Sequence, residues 1–153
     1  YHGSVQRPWR KVETLDPEEY PVFERLQDVP AGVWHNPHLV VEKFLPEIDG
    51  DLFSMRVALF MGDLVRCGRS WSRSPIVKGA SIVRSEPIAT PAGFKAVRER
   101  FGIDYGKIDY VEHAGEIQVI DVNKTPGGLR DSEINARLGA LLADGVLPWL
   151  DAA

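Results

Sequence analysis

Two polar residues close a mostly apolar run near the end of the chain: Asp121 and Asn123 in 117–123 (IQVIDVN). Residues two apart on a strand share a face, so a carboxylate and an amide stand side by side. Alternation places them on the face expected for Ile117 and Val119. A carboxylate on an apolar face needs a partner, because an unpaired buried charge costs several kcal/mol. The preceding strand-like run, 106–112 (GKIDYVE), offers Asp109. A two-residue turn at Ala114-Gly115 sets Asp109 opposite Ile120, whereas an odd loop or a single bulge sets it opposite Asp121. Facing carboxylates repel unless a cation lies between them. Oxygen-only donors of this kind suit Mg²⁺ shared with substrate phosphates. On spacing alone the residues are better served by a turn capped by Asp121 and Asn123 with Asp109 solvated.

A second clue is a pair of facing cations. Residues 52–61 (LFSMRVALFM) alternate, with Phe53, Met55, Val57, Leu59 and Met61 on one face, and Gly62-Asp63 suits a type II′ turn. The partner strand 64–71 (LVRCGRSW) then brings Arg69 opposite Arg56. Like charges facing across a hairpin destabilise it. A bound anion accounts for the pair; so do arginines that splay into water. Lys107 lies two residues before Asp109, on its face, and can donate to an anion as a point charge. His35 and His38 have too few companions for zinc, and the four tryptophans accompany no basic stripe, which points to packing.

The elements that must position these residues follow from turn chemistry. Asp16-Pro17-Glu18-Glu19 has the form of a helix start, capping box included, and Pro21 keeps that helix short. Residues 38–45 (HLVVEKFL) read as a strand, and 72–89 as a loop with a short extended piece. Thr90-Pro91 opens a helix carrying Phe94, Val97 and Phe101, ended by Gly102. Asp131 or Ser132 caps a last helix with Ile134, Leu138, Leu141 and Leu142 on one stripe, and Asp144-Gly145 closes it. Paired strands followed by helices, without regular alternation, indicate an α+β fold with an antiparallel sheet and flanking helices.

Composition bounds the rest. The 153 residues suit one domain, with 44% hydrophobic and 26% charged residues. A net charge of -4 argues against a general nucleic-acid binder. No apolar run reaches the ~20 residues that span a bilayer, and no signal peptide is evident. Cys67, the single cysteine, forms neither an internal disulfide nor a thiolate zinc site, so it reads as a small buried residue in a cytoplasmic protein. The chain begins at Tyr1 with its first methionine at Met55, and 1–11 (YHGSVQRPWRK) read as a mobile arm or the trailing edge of something longer.

Gly106-Lys107-Ile108-Asp109, followed by Asp121-Val122-Asn123-Lys124-Thr125-Pro126-Gly127, resembles the closing signature of the ATP-grasp superfamily, which includes D-alanine–D-alanine ligase, glutathione synthetase and the ribosomal-protein glutamate ligases. The resemblance covers roughly 38–145 by motif order. It implies that Asp109, Asp121 and Asn123 hold one or two Mg²⁺ against ATP, with Asp121 where relatives usually carry Glu. It places Lys107 and Arg56 on the phosphates or acyl phosphate, and Arg69 and Lys78 less specifically beside them. Val41-Glu42-Lys43-Phe44-Leu45-Pro46 resembles the hinge strand whose backbone reads adenine, so Glu42, Lys43, Phe44 and Leu45 become nucleotide-binding residues, with Glu47 or Asp51 on the ribose. The implied fold is the C-terminal half of an ATP-grasp domain over 38–153, with 1–37 an arm and short helix that continue a first subdomain. That subdomain's Gly-rich loop and strand lysine are not recognisable, nor is a P-loop. The implied activity joins a small-molecule carboxylate to an amine or thiol through an acyl phosphate, with little turnover by these residues alone. A kinase acting on a hydroxyl shares every residue above, and a non-catalytic ATP-binding module fits the Asp121 departure. A homodimer is compatible with this reading.

Overall fold

Alternating runs broken by two-residue turns dictate hairpins, and a computed structural model, describing residues 7–16, 20–126, 136, 139–140 and 142–150, gathers them into one six-stranded sheet. Its strands are β1 (Glu47–Asp49), β2 (Leu52–Met61), β3 (Leu64–Ser72), β4 (Ile82–Ile88), β5 (Tyr105–His113) and β6 (Glu116–Asn123). They lie in the order β4-β3-β2-β5-β6, with β1 paired to β2, and every pairing is antiparallel. The helices whose bounds lie among the described residues are α1 (Ala31–Trp34), α2 (Phe94–Phe101) and α3 (Leu147–Leu150). The class is α+β, as the patterning indicates.

Turn residues account for the hairpins. Gly62 has φ 57° while Asp63 keeps an ordinary φ, as a turn with glycine first requires. The β5–β6 turn instead has both central residues left-handed, Ala114 at 53° and Gly115 at 80°. That is the pattern of a type I′ turn, and it holds Ala114 in a conformation costing an L-residue about 1–2 kcal/mol.

One face of the sheet carries the core: Ala58, Phe60, Cys67, Ile108 and Tyr110 pack with Phe94 of α2 and with Ile103. Phe94 meets Phe60 edge-on at 5.8 Å between ring centroids and Tyr110 at 6.2 Å. Gly102, left-handed at 58°, ends α2 as expected. The helix starts at Phe94 after a left-handed Gly93, not at Thr90-Pro91. Phe101 is exposed, and Arg98 takes the inward place, reaching Asp63 Oδ1 at 3.1 Å. Cys67 lies within this core, where burial pushes its thiol up despite a hydrogen bond with Thr90; burial likewise raises the Tyr110 phenol.

Several expected elements differ. Residues 38–45 form no strand; they run as irregular chain into β1. The stretch read as mostly loop contains β4, an edge strand with Pro87, a residue tolerated at edges because it lacks a ladder donor. Asp144-Gly145 does not end the helical run, which passes through a 3-10 turn (Asp144–Val146) into α3. Pro17–Glu19 and residues 127–135, with the helix starts and Ile134 assigned there, lie outside the described residues, as do Leu138 and Leu141. Leu142 is buried. The N-terminal segment is anchored at Trp9, which is buried with Val29 and Val33 in a second small cluster; Asn36 fastens it by donating to the Trp9 and Val12 carbonyls.

Gly106 opens the Gly-Lys-Ile-Asp segment because the neighbouring strand lies too close for a side chain. A Cβ there meets the Asn123 carbonyl oxygen at 2.7 Å. Gly106→Ala is expected to destabilise the fold by about 1–3 kcal/mol through this overlap, measured by urea denaturation; an unchanged midpoint would contradict it.

Candidate functional site

The register of β5 and β6 decides the site. Lys107 pairs with Asn123, Ile108 with Val122 and Asp109 with Asp121, but Tyr110 pairs with Val119. Ile120 is therefore an extra residue in β6, a bulge, and is half exposed. Of the two registers open to the sequence, the bulged one is adopted. The bulge also corrects the expected face. Ile117, Val119 and Val122 pack against the core, whereas Asp121 and Asn123 point to the other side of the sheet, away from Ile117 and Val119. Asp109 stands opposite Val57 of β2 on that same second face.

Four polar side chains thus form a square on two neighbouring strands. Lys107 Nζ lies 2.8 Å from Asp109 Oδ2. The Asp109 side chain is only 13% exposed, and its Oδ1 is buried with no hydrogen-bond partner among the described residues. Asp109 is therefore not the solvated carboxylate that the capping alternative assumed. That alternative holds for Asn123 alone, whose Oδ1 accepts from the Thr125 amide at 2.9 Å. Asp121 is exposed. Among the described residues no group of three or more His, Cys, Asp or Glu side chains gathers for a metal. The available donors are two facing carboxylates and one amide oxygen. They fit a hard, partly hydrated cation, and the unpartnered Oδ1 is an acceptor such an ion satisfies.

Along β2 the second face continues as Phe53, Met55, Val57, Leu59 and Met61, all half-buried. Phe44 leans on its far end, 6.4 Å from Phe53 between ring centroids and 40% exposed. Around it Glu42 and Lys43 are exposed and Leu45 is half-buried. Among the described residues, 40–46 enter no backbone–backbone turn or loop hydrogen bond.

The facing arginines belong elsewhere. Arg56 pairs with Arg69 across β2–β3, as expected, and with Tyr110 across β2–β5. Both guanidiniums therefore lie on the core face, not beside Asp109. Their anion is the protein's own: the Glu47 carboxylate accepts from Arg56 Nε at 3.0 Å and Nη2 at 2.9 Å, from Arg69 Nη2 at 2.8 Å and from the Glu112 amide at 2.9 Å. Arg56 Nη1 also meets Glu112 at 3.0 Å. Arg69 donates to Ser54 and lies over Trp71, whose indole N–H donates to Asp49. Burial pushes the Glu47 carboxyl up, but Arg56, the Glu112 amide and Arg69 together outweigh it and hold it below its ordinary value. Burial opposes the charge on Arg56, and Glu47 with Glu112 raises it regardless. Glu47 is thus engaged and not poised for a ribose; Asp51 is exposed.

Asp49 and Glu112 are residues that the sequence reading missed, and Glu47 was given a different role, on the ribose. The signal was present, since facing arginines demand an anion and three acids lie on strands flanking theirs. Lys78 is exposed beside a shallow pocket of ≈ 300 Å³ lined with Ser74, Ile76 and Ser81, and no described contact joins it to the Asp109 cluster. His35 and His38 gather no metal-binding group with other described residues. Trp9 and Trp71 are packed, while Trp34 and Trp149 are exposed. Among the described residues no helix is long and apolar enough to cross a membrane. Comparison with models of known protein families finds no match, and comparison with curated proteins finds none either.

Proposed function

We propose that this chain is the Mg²⁺- and ATP-holding portion of an ATP-grasp ligase, one that activates a carboxylate as its acyl phosphate for attack by an amine or thiol. The observation that carries the reading is the bulge-made square of Lys107, Asp109, Asp121 and Asn123 on the non-core face. It supports the motif resemblance independently, because the bulge brings the motif's acids together.

Each residue then has a physical role. Asp109 and Asp121 grip the ion from adjacent strands, with the Asn123 amide oxygen alongside. Bound there, Mg²⁺ neutralises charge on the phosphoryl group in flight. Lys107 supplies the positive charge that a phosphate oxygen meets, a role in which it replaces the two arginines committed to Glu47. Phe44 and Phe53 offer an apolar wall for a base, and the backbone of 40–46 offers donors and acceptors for its edge. From Phe53 to Val57 the strand runs about 13 Å, a length that suits a nucleotide laid along it towards Asp109.

Titration calorimetry of this chain with ATP, with and without Mg²⁺, tests the reading. Saturable binding that requires the divalent ion supports it, and no binding under either condition overturns it. Turnover by the protein with its implied first subdomain present separates the chemistries: ADP formed only with a carboxylate and an amine or thiol present supports the ligase, and a stable phosphorylated hydroxyl indicates a kinase. Binding without ADP formation even with that subdomain present indicates a module that holds the nucleotide without using it.

A further inference from the structure

We propose that Lys107 is the built-in competitor of the cation at the Asp109–Asp121 pair, so that metal and nucleotide phosphate must arrive together to release it. The inference rests on the reading of Asp109 and Asp121 as a cation grip and adds to it the state of the site before the cation enters.

Lys107 and Asp109 are two apart on β5 and share a face, and their ion pair measures 2.8 Å. Asp121 faces Asp109 directly across the strands. Two carboxylates so placed repel, and Lys107 offsets that repulsion with one positive charge. It does so at a cost to any incoming ion, because Asp109 Oδ2 is already occupied and only the buried Oδ1 is without a partner among the described residues. A divalent ion that uses both carboxylates, taking Asp109 at Oδ1, stands beside the ammonium on Oδ2, and the repulsion of the two cations weakens the Lys107 contact.

A phosphate changes this balance. The lysine stem is flexible and the side chain is 33% exposed, so Nζ can leave Asp109 for a phosphate oxygen without backbone movement. The ion then takes both carboxylates while the phosphate holds the lysine. Each ligand removes the obstacle to the other, which is a positive coupling free energy between them. Lys107 is a positioning residue in this scheme, holding Asp109 until both ligands are present.

Mn²⁺ binding without nucleotide, followed through the spin-resonance signal of the free ion, reads this directly. Lys107→Met is expected to bind Mn²⁺ about tenfold more tightly than the unaltered chain. Adding Asp121→Asn to that variant is expected to remove the gain. Lys107→Gln should repeat the result, and circular dichroism of both variants checks that the fold is kept. Equal or weaker Mn²⁺ binding by the folded Lys107 variants overturns the competition while leaving the cation grip standing. No Mn²⁺ binding by any form, or binding indifferent to Asp121→Asn, overturns both.

Discussion

The Asp109→Asn variant is expected to lose Mg²⁺-dependent ATP affinity by on the order of 100-fold, yet to melt no lower than the unaltered chain. The loss follows from removing one of two carboxylates that face each other; losing even an outer-shell partner of a metal costs ~10–100-fold. The retained stability follows from electrostatics. The substitution gives up an ion pair with a lysine that is one-third exposed, worth ≲ ~1 kcal/mol at a surface. In return it abolishes the repulsion of Asp121 and neutralises a buried oxygen that has no partner among the described residues. Residues placed for binding at the expense of stability respond in this way. Calorimetry and thermal denaturation, each without and with Mg-ATP, give the two readouts. A clearly lowered melting temperature with unimpaired ATP binding would show Asp109 to be structural.

Glu47→Ala is expected to be the most damaging single change to the fold, by about 3–5 kcal/mol, the usual effect of removing one partner from a buried charge network. Glu47 is 8% exposed, and its loss removes the shared anion between two guanidiniums that are each 18% exposed and face one another across β2 and β3, leaving Arg56 to Glu112 and Arg69 to Asp49 and Ser54. Glu47→Gln keeps the shape and some acceptor capacity, so its cost should be smaller. The pH dependence has a definite sign. The folded carboxyl lies below its ordinary 4.5, so the unfolded chain takes up the proton first as pH falls. Its stabilising contribution is full above that value and is lost as pH drops through the folded pKa. Urea midpoints followed from neutral pH into the acid range should fall more gently for Glu47→Gln than for the unaltered chain. Parallel acid profiles would mean that the carboxylate holds no charge network together.

Local pattern carried much of this fold. The β2–β3 and β5–β6 hairpins, the Arg56–Arg69 pairing and the end of α2 at Gly102 follow from alternation, turn residues and a left-handed glycine. These are interactions among residues close in sequence, which is why they were legible. Residues 38–45 show the opposite case. Their composition is strand-like, but a strand needs a neighbour to pair with, and β2 is paired to β1, β3 and β5 instead.

Which residues could form the site was determined by the sequence; on which face they stand was decided by the tertiary structure. Val119 and Val122 both pack into the core although an odd spacing separates them, and only an extra residue at Ile120 reconciles the two. That single bulge turns Asp121 and Asn123 over to the side of Asp109 and Lys107. Conversely, the arginines that pattern alone associates with a bound anion find it in Glu47, from a strand formed only when the sheet assembles. Alternation is a property of a short segment. The choice of face, and the partner of a buried charge, are settled by what the completed core must bury.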